Sequence, residues 1–358
     1  MTSSSVPTGP DPAAGGTPSA QPGNLTGRHP VVPADRLLNA FVPPRHFDGA
    51  RFSTYRPDPS FPSQSEARDR LEALALDVTA ARPRWPRRRA PGRGVYLDGG
   101  FGVGKTHLLA SLAHAVGPAR AAYGTFVEYT HLVGALGFAP TIDALARRRL
   151  VCIDEFELDD PGDTMVMSRL VRELSDRGVR LAATSNTLPE SLGEGRFAAE
   201  DFLREIQALA ARFDVVRIDG NDYRHRVGVS TSAVRDDATV ARVVARTPGA
   251  TLDSFADLVD HLSQVHPSRY GALLDGVPLV GITSVGPAPD QAAALRLVVL
   301  IDRLYDRDVP VVLGGGGPLE IFTPAMLAGG YRKKYLRALS RLGELVARTE
   351  TVTGEPGG

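Results

Sequence analysis

Gly99-Gly100-Phe101-Gly102-Val103-Gly104-Lys105-Thr106 fits the pattern G-x-x-x-x-G-K-[ST]. Glycines let the backbone enter left-handed and turn conformations, so successive N–H groups converge on one point and cradle phosphates. Val95-Tyr96-Leu97 before it reads as a strand, and Lys105 to Val116 after it as a helix. The helix adds its positive N-terminal end at the same point. Lys105 supplies a charge for the β- and γ-phosphates of ATP, and the Thr106 hydroxyl is a magnesium ligand. A chance glycine-rich turn is the competing reading, and the strand before and helix after it weigh against that. His107 lies on the helix and reads as packing or surface.

About 50 residues further on, Leu150-Val151-Cys152-Ile153-Asp154-Glu155 is an apolar run ending in two acids. Four apolar residues in succession describe a strand buried on both faces. Ligands of doubly wound sheets gather beyond the carboxyl ends of the strands. Asp154 is therefore placed at the metal, and Glu155 is the candidate general base for the attacking water. An exposed acidic turn is the plain alternative for the pair. Cys152 reads as a small buried hydrophobe. Val179 to Thr184 forms another strand, ending at Ser185-Asn186. Asn186 suits either the orientation of water or a turn before Leu188-Pro189.

Outward from these motifs the chain alternates strand and helix: Thr164 to Arg177 reads as a helix and Val215 to Ile218 as a strand. The grammar predicts an α/β fold, a parallel sheet flanked by helices. It spans residues 94–226, followed by a mainly helical C-terminal lid region over 227–348 with strand-like runs at Val277 to Ile282 and Val309 to Leu313. An N-terminal extension covers 30–93, including a basic, proline-broken connector, Arg82 to Arg93. Residues 1–29 are Ser, Thr, Pro, Gly and Ala with almost no large apolar side chain, and 349–358 end similarly. Both segments are expected to be disordered tails.

Of the 358 residues, 42% are hydrophobic and 23% charged, as in soluble globular proteins. The 41 basic and 41 acidic residues cancel, which argues against a dedicated nucleic-acid-binding protein. One cysteine excludes an intramolecular disulfide, and neither a membrane span nor a signal peptide is evident, so the expected home is the cytoplasm.

The P-loop, Ile153-Asp154-Glu155-Phe156 and Ala183-Thr184-Ser185-Asn186-Thr187-Leu188-Pro189, taken together, resemble an AAA+ ATPase. More closely, the chain resembles the ZapE family, the bacterial division-associated relatives of AFG-type ATPases. Phe41-Val42-Pro43-Pro44-Arg45, Phe52-Ser53-Thr54-Tyr55-Arg56-Pro57-Asp58-Pro59, Pro62-Ser63-Gln64, Asp222-Tyr223-Arg224, Leu300-Ile301-Asp302-Arg303-Leu304-Tyr305-Asp306 and Leu339-Ser340-Arg341-Leu342 carry this likeness, over roughly residues 38–345. The resemblance implies a magnesium-dependent ATPase with Asn186 as sensor 1 and Arg296 as the sensor 2 candidate. It also implies at least transient homo-oligomers and, as partner, FtsZ or another division protein. The arginine finger falls first on Arg196 and second on Arg204, in a stretch that lacks the family's closely spaced arginines. Tyr123 to Pro140 also departs from the family pattern. Rival readings are a nucleic-acid-linked ATPase of the helicase-loader type and a nucleotide-dependent adaptor that does not hydrolyse.

Overall fold

The computed structural model describes residues 22–80, 93–100, 102–156, 161–186, 207–208, 210–220 and 235–353. The first half of the chain holds α1 (Ala34–Asn39), α2 (Pro62–Thr79), β1 (Gly94–Gly99), α3 (Lys105–Val116), β2 (Ala121–Thr125), α4 (Phe126–Leu136), α5 (Phe138–Leu145), β3 (Leu150–Asp154), α6 (Pro161–Asp176), β4 (Arg180–Ser185) and β5 (Phe213–Ile218). The second half holds α7 (Asp237–Ala245), β6 (Thr251–Ser254), α8 (Phe255–Gln264), α9 (Tyr270–Leu273), β7 (Val280–Val285), α10 (Gln291–Asp306), β8 (Val311–Gly315), α11 (Pro324–Ala328) and α12 (Arg332–Thr353).

β1 to β5 form a parallel sheet in the order β2-β3-β4-β1-β5. Side chains alternate across its two faces, as the period of a strand requires. Val151 and Ile153 of β3 pack with α4, α5 and α6, while Leu150 and Cys152 pack with α2 and α3 on the other face. The continuous apolar run in β3 is thus the signature of a strand covered on both sides. Burial pushes the Cys152 thiol up, which makes it an inert core residue.

The expected strands and helices of this half are present. β2 is an addition: Ala121-Ala122-Tyr123-Gly124-Thr125 is poor in strand formers, and β3 holds it in register from Ala121↔Leu150 to Thr125↔Asp154. The C-terminal half is mainly helical, as expected, but wraps a second parallel sheet, β6-β7-β8. α7 covers one face of that sheet, while α8, α10 and α12 cover the other.

The expected tail boundaries need correction at both ends. Residues 22–29 dock on the C-terminal sheet: Gly23 bridges Thr251, and Leu252 N donates to Gly23 O at 2.8 Å. Leu25 is fully buried in the C-terminal core. The buried Asp253 carboxylate accepts from Leu25 N at 2.9 Å, Thr26 N at 3.0 Å and Thr26 Oγ1 at 2.9 Å. Composition misled because one leucine among small residues supplies the anchor. Residues 1–21 lie outside the described residues. At the other end α12 runs through Thr353, and Thr349 Oγ1 donates to Val311 O at 2.9 Å.

Leu25→Ala is expected to lower unfolding free energy by about 2–5 kcal/mol, the range for emptying a buried leucine site. Urea denaturation followed by circular dichroism measures it, and an unchanged midpoint would show that the docked segment adds nothing to stability.

Candidate functional site

The loop after β1 closes on itself around Lys105. Gly102 and Gly104 take φ values of 80° and 87°, which L side chains rarely adopt. A Cβ on Gly104 would also come within 2.6 Å of the Tyr55 ring. Tyr55, from the N-terminal extension, donates its hydroxyl to Val103 O at 2.9 Å and braces the loop from outside. Lys105 Nζ donates to Gly99 O at 2.8 Å, Gly100 O at 2.6 Å and Asn186 Oδ1 at 2.9 Å. The lysine and asparagine thus meet, as the order β4-β1 of their strands allows. Phe101 lies outside the described residues.

Asp154, at the end of β3, is buried and accepts from several groups. Thr184 Oγ1 donates to its Oδ1, Tyr123 OH to its Oδ2 at 2.7 Å, and Thr106 Oγ1 lies 3.3 Å from Oδ1. Tyr123 and Thr184 were not singled out by the sequence reading. They flank Asp154 from β2 and β4, a placement fixed by strand register. Burial, then the neighbouring Asp154 charge, holds the Tyr123 hydroxyl well above its usual range, so it stays a proton donor.

Two oxygens, from Thr106 and Asp154, are brought together where the sequence places magnesium. Among the described residues no cluster of three or more His, Cys, Asp or Glu forms a metal cage. Two oxygen ligands suit a magnesium ion, which takes few protein ligands and keeps several waters.

Glu155 turns out of the sheet at φ 52°, and its N–H donates to Thr184 Oγ1 at 3.0 Å. Its carboxylate reaches the C-terminal half, where Arg337 Nη1 contacts Oε2 and Arg341 Nη2 lies 3.4 Å from Oε1. Burial raises the Glu155 carboxyl, although the two guanidiniums and then the neighbouring acids oppose or reinforce that shift. Asp302 shares both arginines, at 3.0 Å from Arg337 and 2.5 Å from Arg341. Burial alone would raise Asp302, but the arginine pair brings it below its ordinary value.

A cavity of about 970 Å³ opens beside these groups, lined in part by Thr106, Asp154, Glu155, Arg296, Arg337 and Arg341. Arg296 therefore shares the cavity, but the arginines in contact with Glu155 are the two from α12. Sequence reasoning chose Arg296 from its position ahead of the Leu-Ile-Asp segment. The contacts of Arg337 and Arg341 span 182 and 186 residues, and only the quoted Leu339-Ser340-Arg341-Leu342 segment pointed there. Arg196 and Arg204 lie outside the described residues. Arg212 pairs with Asp176 at 2.6 Å.

The sequence model of the AFG1-like ATPase family matches residues 31–234 and 227–352. The chain is a member of the AFG1-like ATPase family. The cell division protein ZapE of Escherichia coli strain K12 is 27% identical over 343 residues, covering 79% of this chain and 90% of that protein. Lactation elevated protein 1 homolog B of Danio rerio is 27% identical over 212 residues, covering 48% and 41%. Among solved structures, DnaI aligns at a TM-score of 0.38 and 19% identity over 49% of this chain and 94% of that one. AMPPCP-bound DnaA from Aquifex aeolicus aligns at 0.38 and 13% over 50% and 53%. Such scores mark partial likeness, and membership of the AFG1-like family stands on the sequence match. No described helix is long and apolar enough to cross a membrane.

The family segment Leu300 to Asp306 acquires a structural meaning here. Arg303 pairs with Glu128 of α4, while Thr125 N donates to Glu128 at 2.6 Å. His46 Nε2 lies 2.7 Å from Tyr305 O. Asp306 is pushed up to about 7, chiefly by burial and against the pull of Arg303. An acid raised in the native state binds a proton there that the unfolded chain has already lost, so stability falls as pH rises from about 4 through about 7. Asp306→Asn is expected to flatten that slope, read as melting temperature between about pH 5 and about pH 8. An unaltered slope would mean that Asp306 is ionised throughout.

Proposed function

We propose that this chain binds ATP with magnesium on the Gly99–Thr106 loop, hydrolyses it, and uses the cycle to remodel or regulate a protein partner. The observation that carries the reading is the meeting of Lys105, Thr106, Asp154, Glu155 and Asn186 at the carboxyl ends of β1, β3 and β4. That is where a parallel sheet of this kind takes its ligand.

In this reading the loop amides and Lys105 bind the phosphates, Lys105 exchanging its contacts with Gly99 O and Gly100 O for phosphate oxygens. Thr106 and Asp154 would hold magnesium, whose chemistry is to neutralise charge on the phosphate oxygens. Tyr123 and Thr184 fix the Asp154 carboxylate so that its free lone pairs face the loop. Asn186 orients the attacking water, and Glu155 accepts its proton. The family resemblance supports a trans-acting arginine, Arg196, with Arg296 acting from the C-terminal half, and hence at least transient self-association.

The likeness to ZapE, a cell division protein, supports a partner in that machinery, with FtsZ first to be tested. Zero net charge disfavours the helicase-loader alternative. Retention of Glu155 beside Asp154 speaks against a non-hydrolysing adaptor. FtsZ polymer, and not single-stranded DNA, is expected to raise turnover; the opposite response would favour the nucleic-acid reading.

Two substitutions separate binding from chemistry. Lys105→Ala is expected to weaken ATP binding in calorimetry, because Lys105 meets ground-state phosphates. Glu155→Gln is expected to keep binding and lose turnover on the order of 100-fold or more, the scale of general-base catalysis. Near-normal hydrolysis in Glu155→Gln would remove Glu155 from that role.

A further inference from the structure

Glu155, Asp302, Arg337 and Arg341 form a closed ring. Arg337 spans Glu155 Oε2 and Asp302 Oδ2, while Arg341 spans Asp302 Oδ1 and Glu155 Oε1. The two arginines stand one turn apart on α12, and Asp302 lies on α10, which packs against it. All four side chains are partly buried, with exposures of 21–29%. A carboxylate whose oxygens both accept from guanidiniums has fewer lone pairs left for a water proton.

The second acid explains how the ring can open. If α12 merely needed an anchor on the first half, Glu155 alone would serve. Releasing Glu155 would then strand two cations in a partly buried place, which is strongly unfavourable. Asp302 moves with the arginines as part of the C-terminal core and keeps them paired when Glu155 leaves. The ring also borders the cavity that Thr106 and Asp154 line, so an anion held there competes with Glu155 for the same guanidiniums.

We infer that this ring is a resting-state latch, in which α12 withholds the water-activating carboxylate and a terminal phosphate in the cavity releases it by drawing on Arg337 and Arg341. The inference rests on the ATPase reading above. It makes the arginine pair a restraint first and a phosphate contact second, with Asp302 as the counter-ion that lets the exchange occur. A latch of this design limits idle turnover, because chemistry waits for the C-terminal half to respond.

The test measures ATP turnover and amide hydrogen exchange on the full chain, wild type against Arg341→Gln, Arg341→Lys and Asp302→Asn. At saturating ATP, Arg341→Gln is expected to raise basal turnover about threefold or more, since it shifts the population toward free Glu155. Asp302→Asn leaves Glu155 as the sole carboxylate of the ring and is expected to lower turnover about threefold or more. Without nucleotide, exchange over residues 332–345 is expected to quicken in Arg341→Gln, with Arg341→Lys between it and wild type. A non-hydrolysable ATP analogue is expected to quicken the same amides in wild type. Loss of turnover in both Arg341 variants, with exchange unchanged, would overturn the latch and leave the arginines as phosphate ligands only. Should Arg341→Gln fail to fold, Arg341→Lys decides by the same two readouts. If wild type neither binds nor turns over ATP, the ATPase reading falls; unaltered nucleotide-free exchange in the variants would then sink the latch as well.

Discussion

The carboxylate of Asp154 sits buried at the end of β3 and gathers hydrogen bonds from Thr184 on β4, Tyr123 on β2 and Thr106 on α3. A charged group at that depth is tolerated only with its lone pairs satisfied. Three strands and the helix after the phosphate loop are therefore held to a common point. The positions of Lys105, Asn186 and Glu155 follow from it, because each lies within a residue or two of a group that touches this acid. Asp154 ties these elements together, which leaves little room for substitution there.

Local patterns revealed the parts of the molecule whose causes are local. The glycine loop, the buried β3 and the β4 tip each carry their own chemistry in consecutive residues. β2 and β6 escaped because their residues are small or polar, and register with a neighbouring strand makes them strands. Leu25 escaped for the opposite reason: one apolar side chain matters only when a distant pocket is shaped to take it. The α12 arginines are adjacent to Glu155 solely through the packing of the two halves. No spacing along the chain encodes that contact, while Arg296 lines the same cavity.

Beyond the docked residues 22–29, polar and charged contacts join the two halves. Glu128 meets Arg303, Glu155 meets Arg337 and Arg341, and His46 Nε2 lies 2.7 Å from Tyr305 O. Apart from Leu25, the apolar core clusters stay within each half. Interfaces built this way open and close at small net energy, because both faces are also well solvated when apart. Within the Leu300 to Asp306 segment Arg303 reaches across that boundary to Glu128, while Asp302 and the leucines stay with the C-terminal half.

The docked residues 22–29 give the molecule an unusual mechanical layout. The chain begins its described course on the C-terminal sheet, crosses to the first half by Val32 and Leu37, and returns after Ile218. Two covalent crossings, instead of one, connect the halves. A single tether permits swivelling in all directions, whereas a second crossing restricts it. Any load attached ahead of residue 22 therefore pulls on the C-terminal half first, and torque reaches the phosphate loop through the two crossings and the ion pairs between the halves.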